Sequence, residues 1–286
     1  AVAAELGLSK KTLVVRGGGD GACACLGAGV VSEDEAYLYL GSSSWISTCS
    51  REPLFDRESR TFNFAYPIEG FCCPTGTMQA GGASYHWAKD ALCKMEEEKG
   101  RSLGLSAFTL MDDLIDATEP GSGNLIFLPY ILGERSPRWN INARGAFIGL
   151  SSTHRKSDML RSVLEGVGFN LKILLDILES NGKFNKIRLI GGGAKGRNWK
   201  QIIADIFDRT VTIPEYLEEA TSMGAAIIGA VGAGEMVLQE ASKFVKDVQV
   251  ITPRREAHER YERVFEVFEK SYQSLLEVYE DLSKLS

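Results

Sequence analysis

The sequence has little of what a metal site or a disulfide framework needs. Its six cysteines (Cys23, Cys25, Cys49, Cys72, Cys73, Cys93) include a CxC and an adjacent pair but no CxxC, and His86, His154 and His258 stand far apart. Tetrahedral zinc sites want closely spaced Cys or His ligands. The thiols are therefore expected to be reduced and buried or half-buried, as in a reducing compartment. No apolar run approaches the roughly 20 residues of a membrane span, and no charged, apolar and small-residue leader opens the chain. The expected location is the cytoplasm. Basic residues are not in excess either. Thirty-two Lys plus Arg against 38 Asp plus Glu give a net charge of −6, which argues against nonspecific binding to nucleic acid or to an anionic membrane. With only 8 prolines, no internal repeat and no low-complexity linker, the chain reads as one domain spanning 1–286.

What remains is an ordinary globular composition, 44% hydrophobic and 24% charged over 286 residues. The opening AVAAELGLSKKTLVV reads as a helix end running into a strand, Thr12 to Arg16, as if the chain started at an internal boundary. Residues 36–50 read as two short strands about a Gly-Ser turn. Residues 51–76 read as irregular, and Met78 to Lys99 and Thr109 to Ala117 as helices. LIFLPYI and ARGAFIGL read as strands, and apolar residues at i, i+4 spacing from Met159 to Leu178 mark a long helix over Lys156 to Ser180. KIRLIGGGAKGRNWKQIIADIF is a strand, a glycine turn and a helix. A brief strand VTI, a small-residue helix from Ala220 to Ala233 and an amphipathic helix from Glu256 to Leu285 follow. Strands alternating with helices imply an α/β domain, its sheet covered on both faces.

Three glycine-rich turns each follow a strand: GGGDG (17–21), LGSSS (40–44) and GGGAKGRN (191–198). Glycine lets the backbone approach a ligand with no Cβ in the way. A turn that opens a helix also presents N–H groups and the positive end of the helix dipole, which suits a phosphate. None is a GxxxxGK[ST] phosphate loop. Asp20, on the first turn, has two possible roles. It can cap the helix starting at Gly21, or it can accept a proton from a hydroxyl attacking a phosphoryl group. Glu134 and Arg135 either contact a phosphate or sugar or interlock their loop. Of the four tryptophans, Trp199 beside Asn198 has the best claim to stack on a base, against simple packing. Lys195 and Arg197 read as a solvated face, and Cys23 and Cys25 as small buried side chains.

The segment GAFIGLSSTHRKSDMLRSVLE (145–165) resembles the second signature of the FGGY carbohydrate kinases. The matching positions are Gly145, Phe147, Gly149, Leu150, Asp158, Met159, Ser162, Val163, Leu164 and Glu165. VVRGGGDGACACLGAG, LGSSSW, PYILGERSPRWNINARGAF and LIGGGAKGRNWKQIIADIF occur in that family's order. The GERSP and NARGAF stretches look most like its xylulokinase and gluconokinase branch. The resemblance implies a ribonuclease-H-like domain of the actin/Hsp70/sugar-kinase type, with a mixed sheet and helices on both faces. It also implies ATP and Mg²⁺ as cofactors and transfer of the γ-phosphoryl of ATP to a sugar or polyol, with a xylulose-like ketose favoured. By motif, Asp20 is the catalytic base, Gly41 and Ser42 face the ATP phosphates, and Gly192, Gly193, Ala194 and Asn198 flank the adenosine. The family's first domain, with its DxGT-type loop and most sugar contacts, has no counterpart here. The chain is thus expected to be the C-terminal half, partnered by an N-terminal domain that is a separate chain or lost to truncation. By itself it is expected to bind nucleotide with little or no turnover, as a possible homodimer. The alternative is a nucleotide-binding regulatory or assembly protein on the same fold, without sugar chemistry.

Overall fold

The computed structural model describes residues 2–285. A four-residue helix, α1 (Val2–Glu5), and an irregular stretch lead to α2 (Asp20–Gly27), whose small side chains are buried from Ala22 onward. β1 (Glu35–Leu40) and β2 (Ser44–Thr48) form the expected antiparallel hairpin, with Tyr39 opposite Trp45 and Leu40 opposite Ser44. β3 (Phe62–Ala65) and β4 (Cys72–Met78) extend the sheet from β2. Three helices follow: α3 (Gly82–Leu92), α4 (Lys94–Leu103) and α5 (Ala107–Ile115). A small two-stranded sheet, β5 (Ile126–Leu128) with β6 (Ala146–Ile148), precedes the long α6 (Lys156–Leu178). β7 (Lys186–Ile190), α7 (Arg197–Phe207), β8 (Val211–Pro214), α8 (Ala220–Gly232), β9 (Asp247–Ile251), α9 (Arg255–Ser274) and α10 (Leu276–Lys284) complete the chain.

The main sheet has seven strands in the order β3-β4-β2-β1-β7-β8-β9. β1, β7 and β8 run parallel and the other pairings are antiparallel, so the α/β class with a mixed sheet holds. Alternation along β1 divides two cores. Leu38 and Leu40 point into one, built with α3, α5, α6, α7 and α9, and Tyr37 into the other, built with α2 and α8. The second core depends on glycine. A Cβ at Gly27 would lie 1.8 Å from the Ala220 carbonyl oxygen, and one at Gly224 would lie 1.9 Å from that of Cys23. The two backbones touch, which fixes α2 on the sheet and sets where Asp20 begins it.

Several expectations fail for local reasons. Thr12 to Arg16 is not a strand: Leu13 and Val14 are exposed, and β-branched residues hold a strand only when another strand pairs with them. The stretch 51–76 is not wholly irregular, because β3 and most of β4 lie in it. Pro74 and Gly76 hide β4 from a pattern search, and Gly76 lies where Leu174 of α6 packs on the strand, 3.0 Å from where a Cβ would stand. Met78 ends β4 instead of opening a helix, and the helical region after it breaks at Cys93. The C-terminal helix likewise breaks at Leu275, although Tyr261, Val264, Phe268, Tyr272 and Tyr279 are buried as the stripe requires.

Candidate functional site at the carboxyl ends of β1 and β7

Because β1 and β7 run parallel, their carboxyl ends open on the same side, and open α/β sheets bind ligands at that edge. β1 ends in the turn Gly41–Ser42 and β7 in the turn Gly191–Gly196. The two turns are in contact, since a Cβ at Gly191 (φ +89°) would lie 2.7 Å from the Leu40 carbonyl oxygen. A cleft of about 520 Å³ opens over them, lined by Gly41, Ser42, Gly192 and Gly193 from the turns. Its walls are aromatic: Tyr39 from β1, Tyr85 and His86 from α3, Phe108 from α5 and Trp199 from α7. The Tyr85 ring lies 5.4 Å from that of Phe108 and 5.8 Å from that of Trp199. A more open groove over Trp87 and Leu132 adjoins the cleft and shares Ser42 and His86 with it.

Gly193 and Gly192 of the β7 turn do different things. Gly193 makes room for the core, because a Cβ there would meet Leu40 Cβ at 2.7 Å and Trp199 Cζ3 at 2.9 Å. Gly192 faces open space, its nearest neighbour being Glu218 Oε1 at 3.7 Å. That is the concavity a ligand backbone or phosphate would occupy. The Ser42 turn is braced from behind, where Gly82 and Ala83 of α3 donate to the carbonyls of Gly41 (2.7 Å) and Ser42 (3.0 Å). Lys195 pairs with Glu218 at 2.8 Å, both side chains exposed and both lining the cleft. Lys195 is therefore part of the rim and not simply a solvated face. Arg197 does stay outside, paired with Asp113 and Asp116.

The residues singled out from the sequence do not all meet here. Gly41, Ser42, Gly192 and Gly193 line the cleft, whereas Ala194 is buried beneath its turn and Asn198 is turned away. Asn198 Nδ2 donates to the Asp112 carbonyl (2.9 Å) and to Asp116 Oδ1 (2.9 Å). The start of α7 is likewise occupied by the protein's own carboxylate, for Asp112 Oδ2 accepts from the Arg197 N–H at 2.9 Å. The dipole of α7 is thus spent on Asp112 and not on a ligand. The LGSSS turn joins two strands, so no helix dipole belongs to it.

Asp20 is exposed at the first residue of α2 and does not line the cleft. Gly19 is the capping residue, and Asp20 Oδ1 accepts from the adjacent Gly21 N–H at 2.8 Å. A chain of contacts joins Asp20 to the cleft. Tyr37 Oη donates to the Gly21 carbonyl (3.1 Å) and accepts from Trp45 Nε1 (2.7 Å), and the Trp45 ring stacks on Tyr39 with centroids 4.1 Å apart. Cys23 and Cys25 are buried as expected, and burial pushes the Cys25 thiol up, away from any reactive thiolate.

Glu134 settles the GERSP loop as an interlock. It is 3% exposed, and Oε1 accepts from the backbone N–H of Gln79 (2.7 Å) and Arg135 (3.0 Å) while Oε2 accepts from Asn170 Nδ2 (3.1 Å). Burial pushes its carboxyl up to about 7, against the pull of those donors. It is Glu134, not Arg135, that ties the loop. Sequence reading missed Tyr39, Tyr85, Phe108 and Asp112. Only the period-2 alternation that turns Tyr39 away from Leu38 and Leu40 could have flagged the first of them.

Among the described residues no helix is long and apolar enough to cross a membrane. Comparison with known proteins places the chain clearly. Residues 36–233 match the model of the C-terminal domain of the FGGY family of carbohydrate kinases. The chain is similar to a xylulose kinase of Staphylococcus epidermidis, 34% identical over 284 residues, covering 98% of this chain and 55% of that protein. It is also similar to a gluconokinase of Bacillus subtilis, 31% identical over 270 residues, covering 93% of this chain and 52% of that protein. In three dimensions it superposes on the ligand-bound xylulose kinase of Lactobacillus acidophilus with a TM-score of 0.88 at 28% identity, over 98% of this chain and 55% of that one. The fold is thus the sugar-kinase fold of the actin/Hsp70/ribonuclease-H type. The chain spans about half the length of the relatives it matches.

Proposed function

The chain belongs to the FGGY family of carbohydrate kinases, and from that premise we propose that it is the nucleotide-binding and catalytic-base half of an ATP-dependent sugar kinase. The observation that carries the reading is the convergence of Gly41–Ser42 and Gly192–Gly193 on one cleft at the parallel strand ends. Residues 1–286 form the family's C-terminal domain in this reading, and an N-terminal domain supplies the sugar site. The aromatic walls suit a purine and the open face of Gly192 suits a phosphate or ribose at close approach. Asn198 acts here from behind, holding the adenosine turn on α5, and Ala194 from its buried place within that turn. The kinase reading is preferred to a regulatory one because the relatives matched over nearly the whole chain are kinases.

In the reaction, ATP supplies the γ-phosphoryl group. The chain's own part is to hold the nucleotide on the two turns and to offer Asp20 as general base to the attacking sugar hydroxyl. Asp20 fits that part because it is exposed and no cation among the described residues is bonded to it. The described residues contain no group of three or more His, Cys, Asp or Glu that could cage a metal. Mg²⁺ would be carried on the nucleotide phosphates, as is usual for it, and Ser42 and Glu218 are oxygen donors on the cleft wall that could approach it. The matched relatives make a ketose such as xylulose, or gluconate, the first acceptors to try, and the cytoplasm is the proposed location.

The test is phosphorylation of xylulose and of gluconate by the protein carrying both halves, with and without Asp20→Asn. The kinase reading expects turnover with one of them and a loss of about 10²–10⁴ in kcat on substitution, at unchanged nucleotide affinity. Full activity in the variant would sink the assignment of Asp20.

A further inference from the structure

Tyr39 belongs to β1 yet ends in the cleft. Its ring fills the space beside the phosphate turn: from the position of a Cβ at Gly41, Tyr39 Cε1 is 2.2 Å, Cζ 2.8 Å and the hydroxyl oxygen 2.9 Å away. On its other edge Cε2 lies 3.1 Å from the position of a Cβ at Gly191, so the ring is wedged between the two turns. Trp45 covers one face at 4.1 Å and fixes the ring plane. The hydroxyl at the tip has no hydrogen-bond partner among the described residues, unlike that of Tyr37 two residues earlier. The phenol is half-buried, bordered by the two turns and Trp45, and its hydroxyl is open to the cleft beside a glycine turn, a donor that a ligand can reach.

Resting on the nucleotide reading above, we propose that Tyr39 is an additional binding residue of the cleft, its hydroxyl donating a hydrogen bond to a phosphate oxygen of the bound nucleotide. The chemistry favours a phosphate over the base. The hydroxyl is nearest Gly41, in the turn matched to the phosphate end, and only the far ring edge approaches Gly191. A neutral phenol donating to an anionic oxygen makes a short, charge-assisted bond. Gly41 and Gly191 give the ring its space and the stack on Trp45 orients it, so the donor is placed before the ligand arrives, and little side-chain entropy is lost on binding.

The experiment is calorimetric titration of this chain with Mg·ADP and, in parallel, with adenosine, for the unsubstituted chain and for Tyr39→Phe. Phenylalanine keeps the ring, its wedge and its stack on Trp45, so the fold is preserved. Thermal melting of the variant checks this. The proposal expects Mg·ADP affinity to fall about tenfold, the scale of a hydrogen bond to a charged group, with adenosine affinity unchanged. Equal Mg·ADP affinity in both proteins overturns the proposal and leaves the nucleotide site standing. An equal loss for Mg·ADP and adenosine also overturns it, since the hydroxyl would then be supporting the turn and not meeting a phosphate. If the unsubstituted chain binds neither ligand, the nucleotide reading itself fails, and this proposal with it.

Discussion

A β-carbon on Gly41 would stand 2.2 Å from Cε1 of Tyr39, well inside any contact that real atoms make. The turn of β1 and the ring two residues before it are therefore one packing unit, and the missing side chain of Gly41 is where the ring lies. Gly41→Ala is expected to destabilise the protein by about 1–3 kcal/mol, the usual scale of overpacking. Most of that cost should disappear when Tyr39→Ala is added. A double-mutant cycle by urea denaturation measures the coupling directly. Additive effects would show that the crowding is relieved elsewhere.

The seam between α2 and α8 makes a similar demand, with backbone in place of a side chain. A methyl group on Gly27 would sit 1.8 Å from the Ala220 carbonyl oxygen, so the backbone of one helix must shift to admit it. Gly27→Ala should cost on the order of 3 kcal/mol and, because α2 carries Asp20, should lower kcat in the two-half enzyme more than it changes nucleotide affinity. A variant with normal stability and normal kcat would mean that the seam does not set the position of Asp20.

How much of this was open to a reader of the sequence depends on the kind of signal. α6 and α7 are legible because their apolar residues repeat at helical spacing against a single core, and the β1–β2 hairpin because its turn residues are explicit. β9 escapes because its Val248 and Val250 point to solvent, so its alternation marks no buried face. The breaks at Cys93 and Leu275 carry no Gly or Pro to announce them. In the site, the glycine turns can be read locally. Tyr39, Tyr85, Phe108 and Asp112 reach the cleft from three elements, β1, α3 and α5, and only the tertiary fold brings them together. Asp112 also explains why the start of α7 looked like an anion site from the sequence: it is one, and the anion is internal.

That internal capping makes a prediction about Asn198. Its amide donates to Asp116 and to the Asp112 carbonyl, joining α7 to α5. Asn198→Ala should cost about 1–2 kcal/mol of stability from the lost hydrogen bonds. Asn198→Asp should cost more, because it removes the donors and sets a third carboxylate against Asp112 and Asp116. Thermal melts of the two variants decide the order, and an Asp variant as stable as the Ala variant would contradict the role described.

Glu134 gives the protein a defined pH response. Its carboxyl, pushed up to about 7 by burial, lies above the ordinary value near 4.3 of an unfolded chain. The fold therefore favours the protonated form. The stabilisation is complete below about pH 4.3 and is lost as the pH rises through about 7. Glu134→Gln, neutral at every pH, should remove this slope. Between about pH 5 and about pH 8 the stability of the unsubstituted protein should fall relative to the variant by on the order of 2–3 kcal/mol. Parallel urea curves for the two proteins across that range would refute the assignment.

In the proposed reading the two glycine turns form a nucleotide site in this chain. Gly192 offers the cleanest probe, because a side chain added there meets open cleft and not the core. Calorimetric titration with Mg·ADP should show saturable binding to the unsubstituted chain. With Gly192→Leu, binding should be weakened about tenfold or more at an unchanged melting temperature, as expected when a side chain occupies the ligand's place. Equal affinity in both proteins, or no binding by the unsubstituted chain, would contradict the account.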